Sequence, residues 1–154
     1  HEREVGGEWV ADIQVNSSQL KGIEIPEHLV PLAIDEFPVL FVAAACAEGV
    51  TVLTGAEELR VKESDRIQVM ADGLQQLKVK AEPTPDGMII RGGEIEGGEV
   101  ISHGDHRIAM AFAIAGLRSK APIVIHDCEN VNTSFPEFVS LAGELGLDIS
   151  QTNE

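Results

Sequence analysis

The apolar positions follow two rhythms that take turns along the chain. Segments such as Asp12-Ile13-Gln14-Val15 and Lys78-Val79-Lys80-Ala81 alternate apolar and polar residues, the period-two signature of a strand with one wet face. The stretch 105–118 instead carries Ile108, Met110, Ala111, Phe112, Ile114, Ala115 and Leu117, which cover almost the whole circumference of a helix. That contrast predicts helices inside and sheets outside. Glu8-Trp9-Val10-Ala11-Asp12-Ile13 reads as a further strand with no cap or linker before it, so the chain is expected to belong to a larger fold.

One order of segments occurs twice. Asp35-Glu36-Phe37-Pro38 followed by Val42-Ala43-Ala44-Ala45 returns about 70 residues later as Asp105-His106-Arg107-Ile108 followed by Ala111-Phe112-Ala113. A short apolar run follows each, Val50-Thr51-Val52-Leu53 and Pro122-Ile123-Val124-Ile125. Next come a polar loop, a second helix opening at Ser64 or Ser134, and a strand, Val79-Lys80-Ala81 or Leu147-Asp148-Ile149. The predicted fold class is therefore α/β, strand-helix-strand-helix-strand roughly twice over. The units run roughly from 20 to 97 and from 98 to 154, with 1–19 belonging to a preceding unit and a turn-rich hairpin connection over 87–98. Asp35 and Asp105 are expected to cap the first helix of each unit, and Ser64 and Ser134 the second, with Glu137 completing a capping box. Pro38 fits a first helical turn, whose N–H groups have no intrahelical partner.

Length and charge narrow the function. A chain of 154 residues with 44% apolar content can bury a core. A net charge of −15 with only 11 Lys or Arg excludes a nucleic-acid binder and disfavours a membrane surface. No run approaches the ~20 apolar residues of a membrane span, and the start lacks the basic and apolar regions of a signal peptide, so a soluble, cytoplasmic protein is expected. Cys46 and Cys128 have no metal-ligand spacing around them and read as free thiols. An anionic ligand would have to be met by a few placed cations, against the sign of the whole chain.

Two clusters offer such cations. The first, Glu57-Glu58-Leu59-Arg60-Val61-Lys62-Glu63-Ser64-Asp65-Arg66, leads into a helix. It reads either as a solvated helix start laced with ion pairs, or as an anion site in which Lys62 and Arg66 reach across the helix N-terminus. The second, Ser102-His103-Gly104-Asp105-His106-Arg107, puts His106 and Arg107 in the first turn of an otherwise apolar helix. A cation there opposes the helix dipole, which weakens a purely structural reason for Arg107. Asp35 alone reads as an N-cap. His28 and His126 have no partners at ligand spacing, and no phosphate-loop, dinucleotide-binding or nucleophile-elbow motif occurs.

Leu59-Arg60-Val61-Lys62-Glu63-Ser64-Asp65-Arg66, Gly104-Asp105-His106-Arg107-Ile108-Ala109-Met110-Ala111 and Ala33-Ile34-Asp35-Glu36-Phe37-Pro38 together resemble the 5-enolpyruvylshikimate-3-phosphate synthase family, in the right order and spacing over essentially the whole chain. The resemblance implies an inside-out α/β barrel of repeated βαβαββ units, about two of them present, with a missing N-terminal half that holds much of shikimate 3-phosphate. It implies transfer of the enolpyruvyl group of phosphoenolpyruvate to that acceptor with release of phosphate, on the route to aromatic amino acids and with no cofactor. Asp35 then resembles the acid that contacts the shikimate hydroxyls and takes the proton of the attacking one. Lys62 is similar to a shikimate 3-phosphate ligand, Glu63 to the acid of proton transfer at the methylene, and Arg66 and Arg107 to the pair that clamps phosphoenolpyruvate. Asp105 and His106 are further candidates.

Two positions depart from that pattern. Asn132-Thr133-Ser134-Phe135-Pro136 lacks the lysine that some members carry before Phe-Pro, and Glu58 stands where some place an asparagine. The sister transferase acting on a UDP-sugar shares the implied chemistry, but neither cation cluster resembles its counterpart. A non-catalytic anion-binding module is the alternative from another class, and the isolated chain is expected to be inactive.

Overall fold

The computed structural model describes residues 2–152. Strands β1 (Glu2–Val5) and β2 (Glu8–Ala11) form an antiparallel hairpin that is exposed throughout. Residues 12–20 adopt no regular element, so the expected strand over Asp12–Val15 does not form. Its alternation is real, but a strand needs a neighbour to pair with, and Ile13 and Val15 stand 84% and 87% exposed.

Beyond this the two repeats are plain. In the first, residues 21–24 run parallel to β3 (Val50–Leu53), bridged at Lys21–Glu48 and Glu24–Val52, and α1 (Phe37–Ala45) lies on the crossover between them. In the second, β6 (Gly98–Ile101) pairs in parallel with β7 (Ile123–His126), and α3 (His106–Ala115) occupies the same crossover. The first unit continues through α2 (Arg66–Gln76) into β4 (Lys80–Thr84) and β5 (Gly87–Arg91), and β5 lies between β3 and β4 in an antiparallel sheet. Residues 87–91 are thus a central strand where a hairpin connection was expected. Val79, Ala81, Met88 and Ile90 turn the inner face of that sheet onto the helices.

The helices form the inner layer. Phe41, Ala45, Ile67, Met70, Ala71, Leu74, Ile108, Ala111, Phe112 and Ala115 are buried in one cluster. Small residues let the backbones approach: Gly73, in the middle of α2, faces the ring of Phe112 on α3, where an added Cβ would lie 2.3 Å from Cζ. Gly22 likewise lets its strand reach β3, since a Cβ there would meet the Val50 carbonyl oxygen at 2.3 Å. Helix α3 is buried along Ile108, Ala109, Ala111, Phe112 and Ala115, while Leu117 lies past its end and is 55% exposed.

The second unit closes with α4 (Val131–Ser134) and α5 (Phe138–Glu144). Ser134 ends α4 and caps nothing, and Glu137, in the N-cap position of α5, makes no side-chain cap bond. The capping box is absent because the Phe135-Pro136 step separates two short helices. No strand forms over Leu147–Ile149. A cavity of about 810 Å³ opens between α3, β7 and residues 146–152, with Phe112, Ile123, Val139 and Leu147 among its apolar lining.

Candidate active site

The crossovers bring the two cation clusters to one end of the helical layer. Asp105 is the hinge of the arrangement. Ser102 donates through Oγ to the carbonyls of His126 and Asp127, and the amide of Gly104 donates to Asp127, which ties the loop before α3 to the end of β7. His103 and Gly104 turn that loop with positive φ, 52° and 71°. Asp105 then caps α3 as expected, its Oδ1 accepting from the amides of Arg107 and Ile108 at 3.0 and 3.4 Å.

The other oxygen of Asp105 faces α2. Oδ2 accepts from Arg66 Nε at 2.8 Å and from Ser64 Oγ at 3.0 Å. Arg66 is fully buried, and each of its nitrogens has a carboxylate: Nε that of Asp105, Nη1 that of Asp35 at 2.9 Å, Nη2 that of Glu63 at 2.5 Å. Burial works against the charge of Arg66, but the bond to Asp105 and the acids around it raise its pKa above the ordinary guanidinium value.

Two expected caps resolve differently here. Asp65, not Ser64, caps α2 by accepting from the amide of Gln68 at 3.0 Å, which leaves the Ser64 hydroxyl free to reach Asp105. Asp35 is not an N-cap either. The chain enters α1 through a 3₁₀ turn over Ile34–Glu36, so Asp35 lies inside that turn and its side chain faces across to α2. There it meets Lys62 Nζ at 3.5 Å as well as Arg66. Burial opposes the Asp35 charge, yet the Arg66 hydrogen bond, with Lys62 and Arg107 nearby, holds the carboxyl below its usual range.

Arg107 bridges the repeats. Its Nη1 donates to the carbonyl of Asp35 and to Glu36 Oε1, both at 3.0 Å. Lys62 pairs with Glu58 at 2.5 Å, and this bond is the main reason its pKa is raised. Asp35, Lys62, Glu63, Arg66, Asp105 and Arg107 therefore stand together. The side chain of His106, half-buried at the start of α3, makes no hydrogen bond among the described residues. Arg60 is structural: it donates to the carbonyls of Thr84 and Pro85 and to Asp65 at 2.7 Å, pinning the β4–β5 turn to the start of α2. The ion-paired helix start expected of the first cluster is thus seen at Arg60 and Asp65.

Sequence reasoning passed over Glu36 and the hydroxyl of Ser64 as members of this cluster. In the sequence Glu36 stands out only as the neighbour of Asp35, and Ser64 reads as a cap. The apolar cavity beside α3 is lined by none of these charged groups. Among the described residues no His, Cys, Asp and Glu group is arranged to hold a metal ion, Cys46 and Cys128 are free, and no helix is long and apolar enough to cross a membrane.

Fold and cluster define an inside-out α/β repeat protein whose two units share one charged end. The chain belongs to the EPSP synthase (3-phosphoshikimate 1-carboxyvinyltransferase) family, whose model matches residues 2–141. It is 71% identical over 147 residues to the 3-phosphoshikimate 1-carboxyvinyltransferase of Methylococcus capsulatus, covering 96% of this chain and 34% of that protein. It is 69% identical over 152 residues to the protein of the same name from Alkalilimnicola ehrlichii, covering 98% and 34%. The structure of EPSP synthase from Acinetobacter baumannii superimposes with a TM-score of 0.93 at 60% identity, over 98% of this chain and 36% of that one. The chain spans about a third of the length of these relatives.

Proposed function

We propose that this chain contributes one wall of an active site that transfers the enolpyruvyl group of phosphoenolpyruvate to the 5-hydroxyl of shikimate 3-phosphate and releases phosphate. The observation that carries this reading is the setting of Asp35: one carboxylate reached by Lys62 and Arg66, with Arg107 bonded to its own backbone carbonyl. Addition followed by elimination needs a base, a proton carrier and fixed positive charge, and the cluster supplies all three.

In this reading Asp35 takes the proton of the 5-hydroxyl as its oxygen bonds to C2 of phosphoenolpyruvate. The methylene carbon C3 gains a proton to become a methyl group. Elimination then reverses that step: C3 loses a proton, the C2–C3 double bond returns, and phosphate departs from C2 with the C–O bonding pair. Glu63 handles the proton at C3, Lys62 contacts shikimate 3-phosphate, and Arg66 and Arg107 hold phosphoenolpyruvate.

The free cluster constrains those roles. With its pKa lowered, Asp35 is ionised at neutral pH but is a weak base, so anionic substrates that draw Lys62 and Arg107 away must raise its basicity. Arg66 has no exposed side-chain surface, so a ligand carboxylate reaches it only when Asp35 or Glu63, which are 46% and 52% exposed, moves aside. The remaining two thirds of the relatives' length supply the opposite wall, and this chain by itself carries out no turnover. A phosphate-release assay with both substrates on a full-length protein containing this chain tests the reading. Release that collapses in Asp35→Ala and in Arg107→Ala supports it, and a wild type that releases none refutes it.

A further inference from the structure

Five carboxylates, Asp35, Glu36, Glu58, Glu63 and Asp105, pair with three cations, Lys62, Arg66 and Arg107. The cluster is therefore over-neutralised before any ligand arrives. A phosphorylated anion of charge near −2 cannot join it at an acceptable cost unless some carboxylates leave.

The five are not equally held. Asp105 is fully buried and uses both oxygens, on the α3 amides, Arg66 and Ser64. Asp35 and Glu63 engage the buried Arg66, and Asp35 also meets Lys62. Glu36 and Glu58 differ from these. Each makes one side-chain contact, Glu36 to Arg107 Nη1 at 3.0 Å and Glu58 to Lys62 Nζ at 2.5 Å, and each is 60% exposed. The cations they cover are less accessible than they are, 33% for Arg107 and 21% for Lys62. A tethered carboxylate that touches one cation from the solvent side occupies the place a ligand oxygen would take.

We propose that Glu36 and Glu58 are ligand surrogates: each holds one cation of the cleft in place and neutralised until a substrate oxygen replaces it on the same N–H. This rests on the reading of the cleft given above, with Arg107 meeting phosphoenolpyruvate and Lys62 meeting shikimate 3-phosphate. Release is cheap, because each glutamate meets its cation from the solvent side, where water takes over the bonds of the freed carboxylate. The exchange makes both glutamates determinants of affinity without either touching the reacting atoms. Removing the charge of either should tighten its own substrate, since the competitor is gone while the cation stays.

The test measures KM for both substrates in a full-length protein containing this chain, as wild type, Glu36→Gln, Glu58→Gln and the control Glu82→Gln, which changes net charge equally from the exposed face of β4. Glu36→Gln is expected to lower KM for phosphoenolpyruvate about three- to five-fold, the worth of one exposed pair, and to leave that for shikimate 3-phosphate nearly unchanged. Glu58→Gln should do the reverse. An unchanged or raised KM removes that glutamate from the proposal, and an equal fall in the control overturns it altogether. If the wild type shows no transfer, the functional reading has failed, and the surrogate role is then judged by titrating inorganic phosphate into this chain and following its arginine and lysine side-chain resonances. Tighter phosphate binding by the two variants than by wild type sustains the role, and equal or weaker binding ends it.

Discussion

Arg66 Nε donates to Asp105 Oδ2 at 2.8 Å, and neither side chain has any exposure to solvent. Residues 39 apart in sequence thereby join the start of α2 to the start of α3. The same carboxylate caps α3, so one acid sets both the guanidinium of Arg66 and the helix that presents Arg107.

Removing Asp105 should therefore cost more than a cap. A buried charge left without its partner loses about 3–5 kcal/mol. Asp105→Ala is expected to fall near the lower figure, because Asp35 and Glu63 still meet Arg66. Asp105→Asn keeps an oxygen for the α3 amides and should lose less. Urea unfolding of wild type and both variants checks this, and a loss below about 1 kcal/mol for Asp105→Ala would show that the pair does not tie the helices together.

Asp35 should shape the acid limb of stability. Its folded pKa lies below the unfolded value of about 3.8, so its contribution is complete above that value and disappears as pH falls through the folded pKa. Asp35→Asn has no such titration. The difference in melting temperature between wild type and variant should hold steady near neutral pH and shrink as pH drops below about 4. A difference that stays constant into strong acid would mean that the Lys62 and Arg66 contacts do not favour the ionised form.

Within the proposed activity, the acids and the cations should fail in different ways. Loss of the base in Asp35→Asn is expected to lower kcat about 10²–10⁴-fold in the full-length protein. Arg107→Ala should act first on KM for phosphoenolpyruvate, because its guanidinium is bonded to the Asp35 carbonyl and to Glu36 and reaches the Asp35 carboxylate only through its field, behind the direct bonds of Arg66 and Lys62. Steady-state kinetics with each substrate varied separates the two. Equal effects on kcat and KM in both variants would remove the division of roles.

The repeat was legible because both crossovers carry the same Asp-led, Ala-rich helix, and the core side of α3 was legible in Ile108, Ala111, Phe112 and Ala115, whereas Leu117, expected in the same buried helix, lies past its end and is exposed. Caps were not. Asp35 and Asp105 occupy the same place in the repeat, yet only Asp105 caps, since a 3₁₀ turn over Ile34–Glu36 advances the chain before α1 begins. Ser64 and Asp65 are both good cap residues one position apart, and tertiary demand decides between them: Asp105 needs a second donor, and the Ser64 hydroxyl supplies it. The segments 12–15 and 147–149 have the pattern of strands but form no β-bridge among the described residues. Periodicity reports which face is buried, while pairing is a property of the neighbour. The cation clusters were visible as residue types, but that three acids converge on Arg66 follows only from bringing distant turns together.

Gly73 gives a test of how tightly the inner layer is packed. A glycine in the middle of a helix costs about 1 kcal/mol relative to alanine, so on propensity alone Gly73→Ala should stabilise α2. The structure reverses that sign. A methyl group at this position would lie 2.3 Å from Cζ and 2.7 Å from Cε2 of Phe112, whose ring is fully buried on α3. Overpacking of this kind costs about 1–3 kcal/mol, enough to cancel the helix gain and leave a net loss. Shortening the facing side chain should relieve the conflict, so Gly73→Ala combined with Phe112→Leu is expected to be less destabilised than the sum of the two single variants. Denaturant unfolding of the four proteins closes the cycle. Strict additivity, or a Gly73→Ala variant more stable than wild type, would mean that α2 and α3 are not in the close contact described.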